Sequence, residues 1–165
     1  MPLHGQLGKH ERAIWHTFLA QHPWPLTNVR YNCYLGKGHG PRDGTQPRWR
    51  KVAVRLSRKR ADVIANLGDT TIIFEIKHWG DATALGQLLT YRQLYLEEYE
   101  PVKPLRLVVV CKYVEPELKA VYAAYDIEWA ETEPLWVQQN YYYKHQEASP
   151  PPHQAQSRLP SLGEV

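Results

Sequence analysis

Asp62, Glu75 and Lys77 are the residues of this 165-residue chain whose types and spacing could do chemistry. Twelve residues separate the two acids, and Lys77 follows two beyond the second. Two carboxylates brought together would hold a divalent cation such as Mg²⁺ or Mn²⁺, which is bound through one or two carboxylates and keeps several waters. A lysine beside them would position an attacking water and stabilise charge developing on a phosphoryl group. That is equipment for hydrolysing phosphodiesters, and it makes nucleic acid the leading substrate.

The surrounding residues say how the three could meet. Thr71 to Lys77 is rich in β-branched and aromatic residues and reads as a strand. Side chains alternate faces along a strand, so Ile72, Phe74 and Ile76 share one face and Ile73, Glu75 and Lys77 the other. Ala61 to Leu67 reads as a second strand, with Asp62, Ile64 and Asn66 on one face. Gly68-Asp69 between them suits a two-residue hairpin turn with Gly at the first central position. Such a turn pairs residues whose numbers sum to 137, which sets Asp62 opposite Glu75 with Cβ atoms about 5 Å apart. A slip of one residue would part the two acids. The plain alternative is a structural ion-pair network, which also gathers acids and lysines.

Downstream, Asp81 can cap a helix that runs through Leu85, Leu88, Leu89, Tyr95 and Leu96 to Tyr99 and ends at Pro101. Gln87 and Tyr91 share a face of it. Leu105 to Cys111 is an apolar run suited to a strand buried on both faces. Glu115 to Tyr125 reads as a short helix and Ile127 to Ala130 as a last strand. Upstream, a helix from Leu7 to Gln21 buries Ile14, Trp15, Phe18 and Leu19 and stops before His22-Pro23. Asn28 to Leu35 is a strand, followed by a Gly-rich loop that is either a flap meeting substrate or a surface connector. From residue 61 the order β, β, α, β, α, β gives an α/β fold, a mixed sheet flanked by helices.

The acid pair and lysine resemble the core of the PD-(D/E)XK nuclease superfamily, Asp62 and Glu75-Ile76-Lys77 matching its motif. Gln87-Leu88-Leu89-Thr90-Tyr91 is similar to the QxxxY helix motif of the RecB/Cas4-like branch, and residues 84–91 to that of small phage-type members. The resemblance covers roughly residues 11–132. Ala61 stands where the motif has Pro. The four-cysteine set of an iron–sulfur cluster is absent, because the chain has only Cys33 and Cys111. What the resemblance implies is a restriction-endonuclease-like fold and a metal held by Asp62, Glu75 and the Ile76 carbonyl. It also implies a first-helix glutamate supplementing that metal; Glu11 is the matching residue, otherwise an ordinary exposed acid. Gln87 and Tyr91 would brace the site or touch the DNA backbone.

Charge is unevenly spread. Residues 1–60 hold 12 Lys/Arg and 2 Asp/Glu, whereas residues 61–165 hold 8 and 15. Such polarity steers a polyanion to one face. Between Arg48 and Arg60, seven of 13 residues are basic and none is acidic. Trp49, Val52, Ala53 and Leu56 fall at helical spacing, predicting a helix that packs this stripe inward and shows Arg48, Lys51, Arg55 and Lys59 to solvent. With Arg58 and Arg60 they form the expected phosphate clamp, unless the helix is only a solvated surface or lies on a membrane.

No run of 18 apolar residues exists, no signal-peptide pattern opens the chain, and two cysteines without a framework fit a reducing, cytoplasmic interior as free core thiols. One domain, residues 1–145, is expected, then a disordered Pro-rich tail, residues 146–165. The aromatic stretch from Leu135 to Lys144 would pack on the body or stack on bases. The reading is a metal-dependent DNA nuclease with little sequence specificity. Its rivals are a non-catalytic DNA-binding or phage-assembly module on the same fold, and a junction-resolving or restriction-type homodimer.

Overall fold

The computed structural model of the protein describes residues 7–41, 47–133 and 158. The chain runs α1 (Lys9–Gln21), β1 (Thr27–Leu35), α2 (Pro47–Ser57), β2 (Lys59–Leu67), β3 (Thr70–Gly80), α3 (Ala82–Tyr99), β4 (Leu105–Val114), α4 (Pro116–Ala124), β5 (Ile127–Glu131). The five strands lie side by side in chain order. β1, β2 and β3 are antiparallel neighbours, while β3, β4 and β5 are parallel. The fold is thus α/β, a mixed sheet flanked by helices, as the sequence predicts. The aromatic stretch and, apart from Arg158, the tail lie outside the described residues; the Arg158 N–H donates to the Trp129 carbonyl at 2.9 Å.

Local chemistry sets the element ends. The Asp81 carboxylate accepts the Ala84 N–H at 2.9 Å, satisfying an orphan donor of the first turn of α3. α3 closes on Glu100 in the left-handed conformation, φ 42°, immediately before Pro101. Glu11 accepts the Gly8 N–H at 2.9 Å and so helps close the start of α1. The β2–β3 turn is Gly68-Asp69, flanked by the pair Leu67–Thr70, with Gly68 at φ +56°. Pairs run from there to Val63–Phe74, every one summing to 137.

That register sorts side chains between two cores. Ile72, Phe74 and Ile76, with Val108 and Val110, pack against Ile14, Trp15 and Phe18 of α1. Ile64, Ile73, Leu107 and Val109 pack on the opposite face with Leu88, Tyr91 and Tyr95 of α3 and Tyr122 of α4. Val108, Val109, Val110 and Cys111 are all fully buried, as a strand covered on both faces requires. Both cysteines are free, and burial pushes the Cys111 thiol up to about 12, which makes it inert. Among the described residues no helix is long and apolar enough to cross a membrane.

The basic segment departs from expectation. α2 ends at Ser57, and Lys59 and Arg60 belong to β2, where they pair with Leu35 and Tyr34. The predicted stripe does not pack inward: Trp49 is 53% and Leu56 72% exposed, and Val52 is exposed too. Only Arg58 separates α2 from β2, too little chain to fold the helix back over the sheet. α2 is instead tied by Ser57, whose Oγ accepts the His39 N–H at 2.7 Å and donates to backbone carbonyls of His39 and Val54. The Gly-rich loop is therefore anchored at this point.

Candidate active site

Asp62 and Glu75 come together at the end of the β2–β3 hairpin away from its turn. Asp62 Oδ2 accepts the Ile76 N–H at 2.8 Å. Glu75 Oε1 receives the Lys77 ammonium at 2.8 Å. Glu75 is 1% exposed, and its Oε2 is buried without a hydrogen-bond partner among the described residues. From α3, Gln87 donates from Nε2 to the Tyr91 hydroxyl at 3.0 Å, and Gln87 Oε1 is likewise buried and unpartnered. Buried polar atoms are nearly always satisfied. Glu75 and Gln87, joined through Tyr91, thus each leave an acceptor oxygen that a cation or a water could meet.

Electrostatics agrees. Burial pushes the Glu75 carboxyl up to about 8, and the neighbouring Asp62 charge adds to this. Asp62 is also raised, by burial first and by Glu11, against the Ile76 N–H, Lys77 and Arg60, which favour its ionised form. Burial alone would lower the Lys77 ammonium. The bond to Glu75 and the charges of Glu75, Asp62 and Glu11 outweigh it, so Lys77 stays firmly protonated. The Tyr91 phenol is raised by burial and by the Glu75 charge. Two buried acids that repel each other, with a spare oxygen, form an arrangement that a cation would relieve.

A hard divalent ion suits these donors, which are all oxygens. The Ile76 N–H is aimed at Asp62, and in an antiparallel pair one residue's N–H and C=O face the same neighbour; the Ile76 carbonyl therefore faces that side too. Among the described residues no three His, Cys, Asp or Glu side chains gather into a metal-holding group. Glu11 is near enough for its charge to act on Asp62 and Glu75, with Oε2 engaged by Gly8.

The structure thus brings Asp62, Glu75, Lys77, Gln87 and Tyr91 into one site. The basic residues divide. Lys51, Arg55 and Lys59 are exposed, and the Arg60 charge reaches Asp62. Arg58 is committed elsewhere, donating to the Tyr34 carbonyl at 3.0 Å and pairing with Glu98 at 3.1 Å. The Arg48 side chain lies outside the described residues. Sequence reading passed over His78, Trp79 and Tyr113, which crowd the strand ends beside the site. Their signal was two aromatic rings directly after Lys77.

No protein-family model matches the chain, and no curated protein matches it. Among solved structures, the crystal structure of a repair endonuclease from Pyrococcus abyssi is similar with a TM-score of 0.45 and 16% identity, over 79% of this chain and 50% of that one. The chain spans half the length of that neighbour.

Proposed function

We propose that this protein is a metal-dependent nuclease that hydrolyses DNA phosphodiester bonds with little sequence specificity, a small phage-type PD-(D/E)XK enzyme of the RecB/Cas4-like branch without an iron–sulfur cluster. The observation that carries the reading is the unpartnered, buried Glu75 carboxylate oxygen beside Asp62 and Lys77.

Asp62, Glu75 and the Ile76 carbonyl would hold Mg²⁺ or Mn²⁺. Such an ion, when bound, polarises a phosphoryl oxygen and lowers the pKa of bound water. The chain's own groups do the rest. Lys77, fixed as a cation, orients the attacking water and stabilises charge on the phosphoryl oxygens. Gln87 holds the Tyr91 hydroxyl at 3.0 Å, and the pair braces the wall of the site against α3. Arg60 on β2 and the exposed Lys51, Arg55 and Lys59 offer charge to flanking phosphates.

The test is a cleavage panel on linear, circular, single-stranded and branched DNA with Mg²⁺, Mn²⁺ or EDTA. Cleavage that needs the metal and disappears in Asp62→Ala and Glu75→Ala supports the reading. Metal-independent DNA binding without cleavage selects the non-catalytic module instead.

A further inference from the structure

Trp79 is the residue the nuclease reading leaves unused. Its indole is 51% exposed although it sits on β3, two residues beyond Lys77. Strand pairing with β4 persists to this point, with Trp79 opposite Tyr113 and Gly80 opposite Val114. The ring is braced on two sides. The His78 ring lies 5.0 Å away at 73°, and the Tyr113 ring 5.8 Å away at 84°. His10 of α1 extends the row, 6.3 Å from His78.

The backbone beyond Trp79 is fixed as well. Gly80 is buried, and a Cβ there would meet Val114 Cγ2 at 2.9 Å and Cys111 Sγ at 3.2 Å. Asp81 then caps α3. The indole therefore stands on a pinned strand end, held by edge contacts, with half its surface in water. A large apolar ring treated this way contributes little to the core. It is preorganised for a flat partner.

We propose that Trp79 is a stacking platform for an unpaired nucleobase next to the phosphate handled by Lys77, so that the preferred substrate is single-stranded or frayed DNA rather than intact duplex. The proposal rests on the nuclease reading and names the substrate class of the same site. Two residues along a parallel strand span about 6.6 Å, so the platform lies about one nucleotide from Lys77. In a duplex both faces of each base are already covered by neighbours, and only edges are open. Away from duplex ends, an aromatic ring can stack only on a base that has left the helix. Every base has such a face, so this contact fits a site without sequence preference.

The experiment measures binding in a Glu75→Ala background, which removes cutting. The probes are a fluorescein-labelled 12-mer of thymidylate, the same strand with every base removed, and a covalently closed circular duplex with an internal fluorescein, which has no open base face. Trp79→Ala should weaken the thymidylate strand about 5- to 100-fold and leave the abasic strand and the duplex within about twofold. Trp79→Phe should restore most of the loss, and thermal melting should show each variant folded. Unchanged thymidylate affinity, or an equal loss on all three probes, overturns the platform. Wild-type cleavage is scored separately. A base-dependent Trp79 effect with no cleavage of any DNA supports the platform and overturns the nuclease reading. Metal-dependent cleavage with no base-dependent Trp79 effect overturns the platform alone.

Discussion

Glu75 and Glu131 are both buried glutamates on the parallel half of the sheet, and each meets a lysine, yet they are built for different ends. Glu131 on β5 uses both oxygens. Oε1 accepts the Val114 N–H at 2.9 Å and the Lys119 ammonium at 3.1 Å, and Oε2 lies 3.3 Å from the same ammonium. It fastens β5 to the end of β4 and to α4. Glu75 pairs with Lys77, two residues along its own strand, so its ion pair joins nothing that the strand does not already join. Its second oxygen accepts no hydrogen bond within normal reach among the described residues, and its carboxyl is pushed up to about 8. A satisfied buried charge that links elements is structural. One that leaves an oxygen over is what the proposed nuclease would use to hold a cation.

Exchanging each acid for its amide should separate the two most sharply. Glu75→Gln should lower cleavage by about 10³-fold or more, while stability holds at neutral pH, where folded Glu75 is already protonated, and rises above pH 8, where the wild type carries a buried repelling charge. Glu131→Gln should do the reverse. It should cost about 2 kcal/mol, since Lys119 is partly exposed and a broken pair there is partly screened, and leave the rate per folded molecule unchanged. Parallel melting and cleavage assays decide this, and a Glu75→Gln variant that cuts at the wild-type rate would end the comparison.

Next in size is Lys77→Arg. The planar guanidinium cannot replace a compact ammonium seated against Glu75 Oε1. Cleavage should fall by roughly 10²-fold, with DNA affinity within a few-fold because the loss lies in the transition state. Full activity would remove Lys77 from the chemistry.

A pH series on metal-free protein sharpens the contrast. Glu75 gains its proton more readily in the folded state, at about 8, than at its ordinary value of 4.5. The folded state therefore holds the extra proton between these values. Stability must fall as pH rises through that window, by about 1.4 kcal/mol for each pKa unit of difference. Melting temperature should decline between pH 5 and 8 in the wild type and flatten in Glu75→Gln. If Glu75 is a metal ligand as proposed, saturating Mg²⁺ should stabilise the wild type more at pH 8 than at pH 6, because a bound cation would displace that proton. A flat wild-type profile would show that the carboxyl is not held neutral.

The smallest effect separates exposed cations from engaged ones. Lys51, Arg55 and Lys59 changed together to Gln should make the log–log salt dependence of duplex binding shallower, by about 0.9 for each phosphate no longer neutralised. Arg58→Gln should leave that slope alone, because its guanidinium is already spent on Tyr34 and Glu98. Equal slopes for the triple variant and wild type would take α2 and the start of β2 out of the DNA path.

The site was legible in the sequence where chemistry is local. Gly68 and strict alternation set the register to 137, and from that the meeting of Asp62 with Glu75 followed. Asp81 and Pro101 marked both ends of α3, and with them the shared face of Gln87 and Tyr91. What escaped depends on distant chain. The spacing of Trp49, Val52 and Leu56 fixes a helical face but not what covers it, and all three stay exposed. Arg58 read as one more free cation, because its partners lie 24 and 40 residues away. The orphaned oxygens of Glu75 and Gln87 are facts of packing that no spacing encodes.

The two-residue turn carries a last consequence, for the order of assembly. Asp62 and Ile76 are 14 residues apart, and hairpins with such short loops close in microseconds, well before most domains finish folding. Pairing β3 with β4 needs the longer crossover through α3 to close, at a greater cost in loop closure. The two acids thus meet through a local pairing that does not depend on the crossover to β4. Their mutual repulsion opposes the hairpin as it closes. The Lys77 ammonium, carried on the same hairpin, is the counter-charge available at that moment.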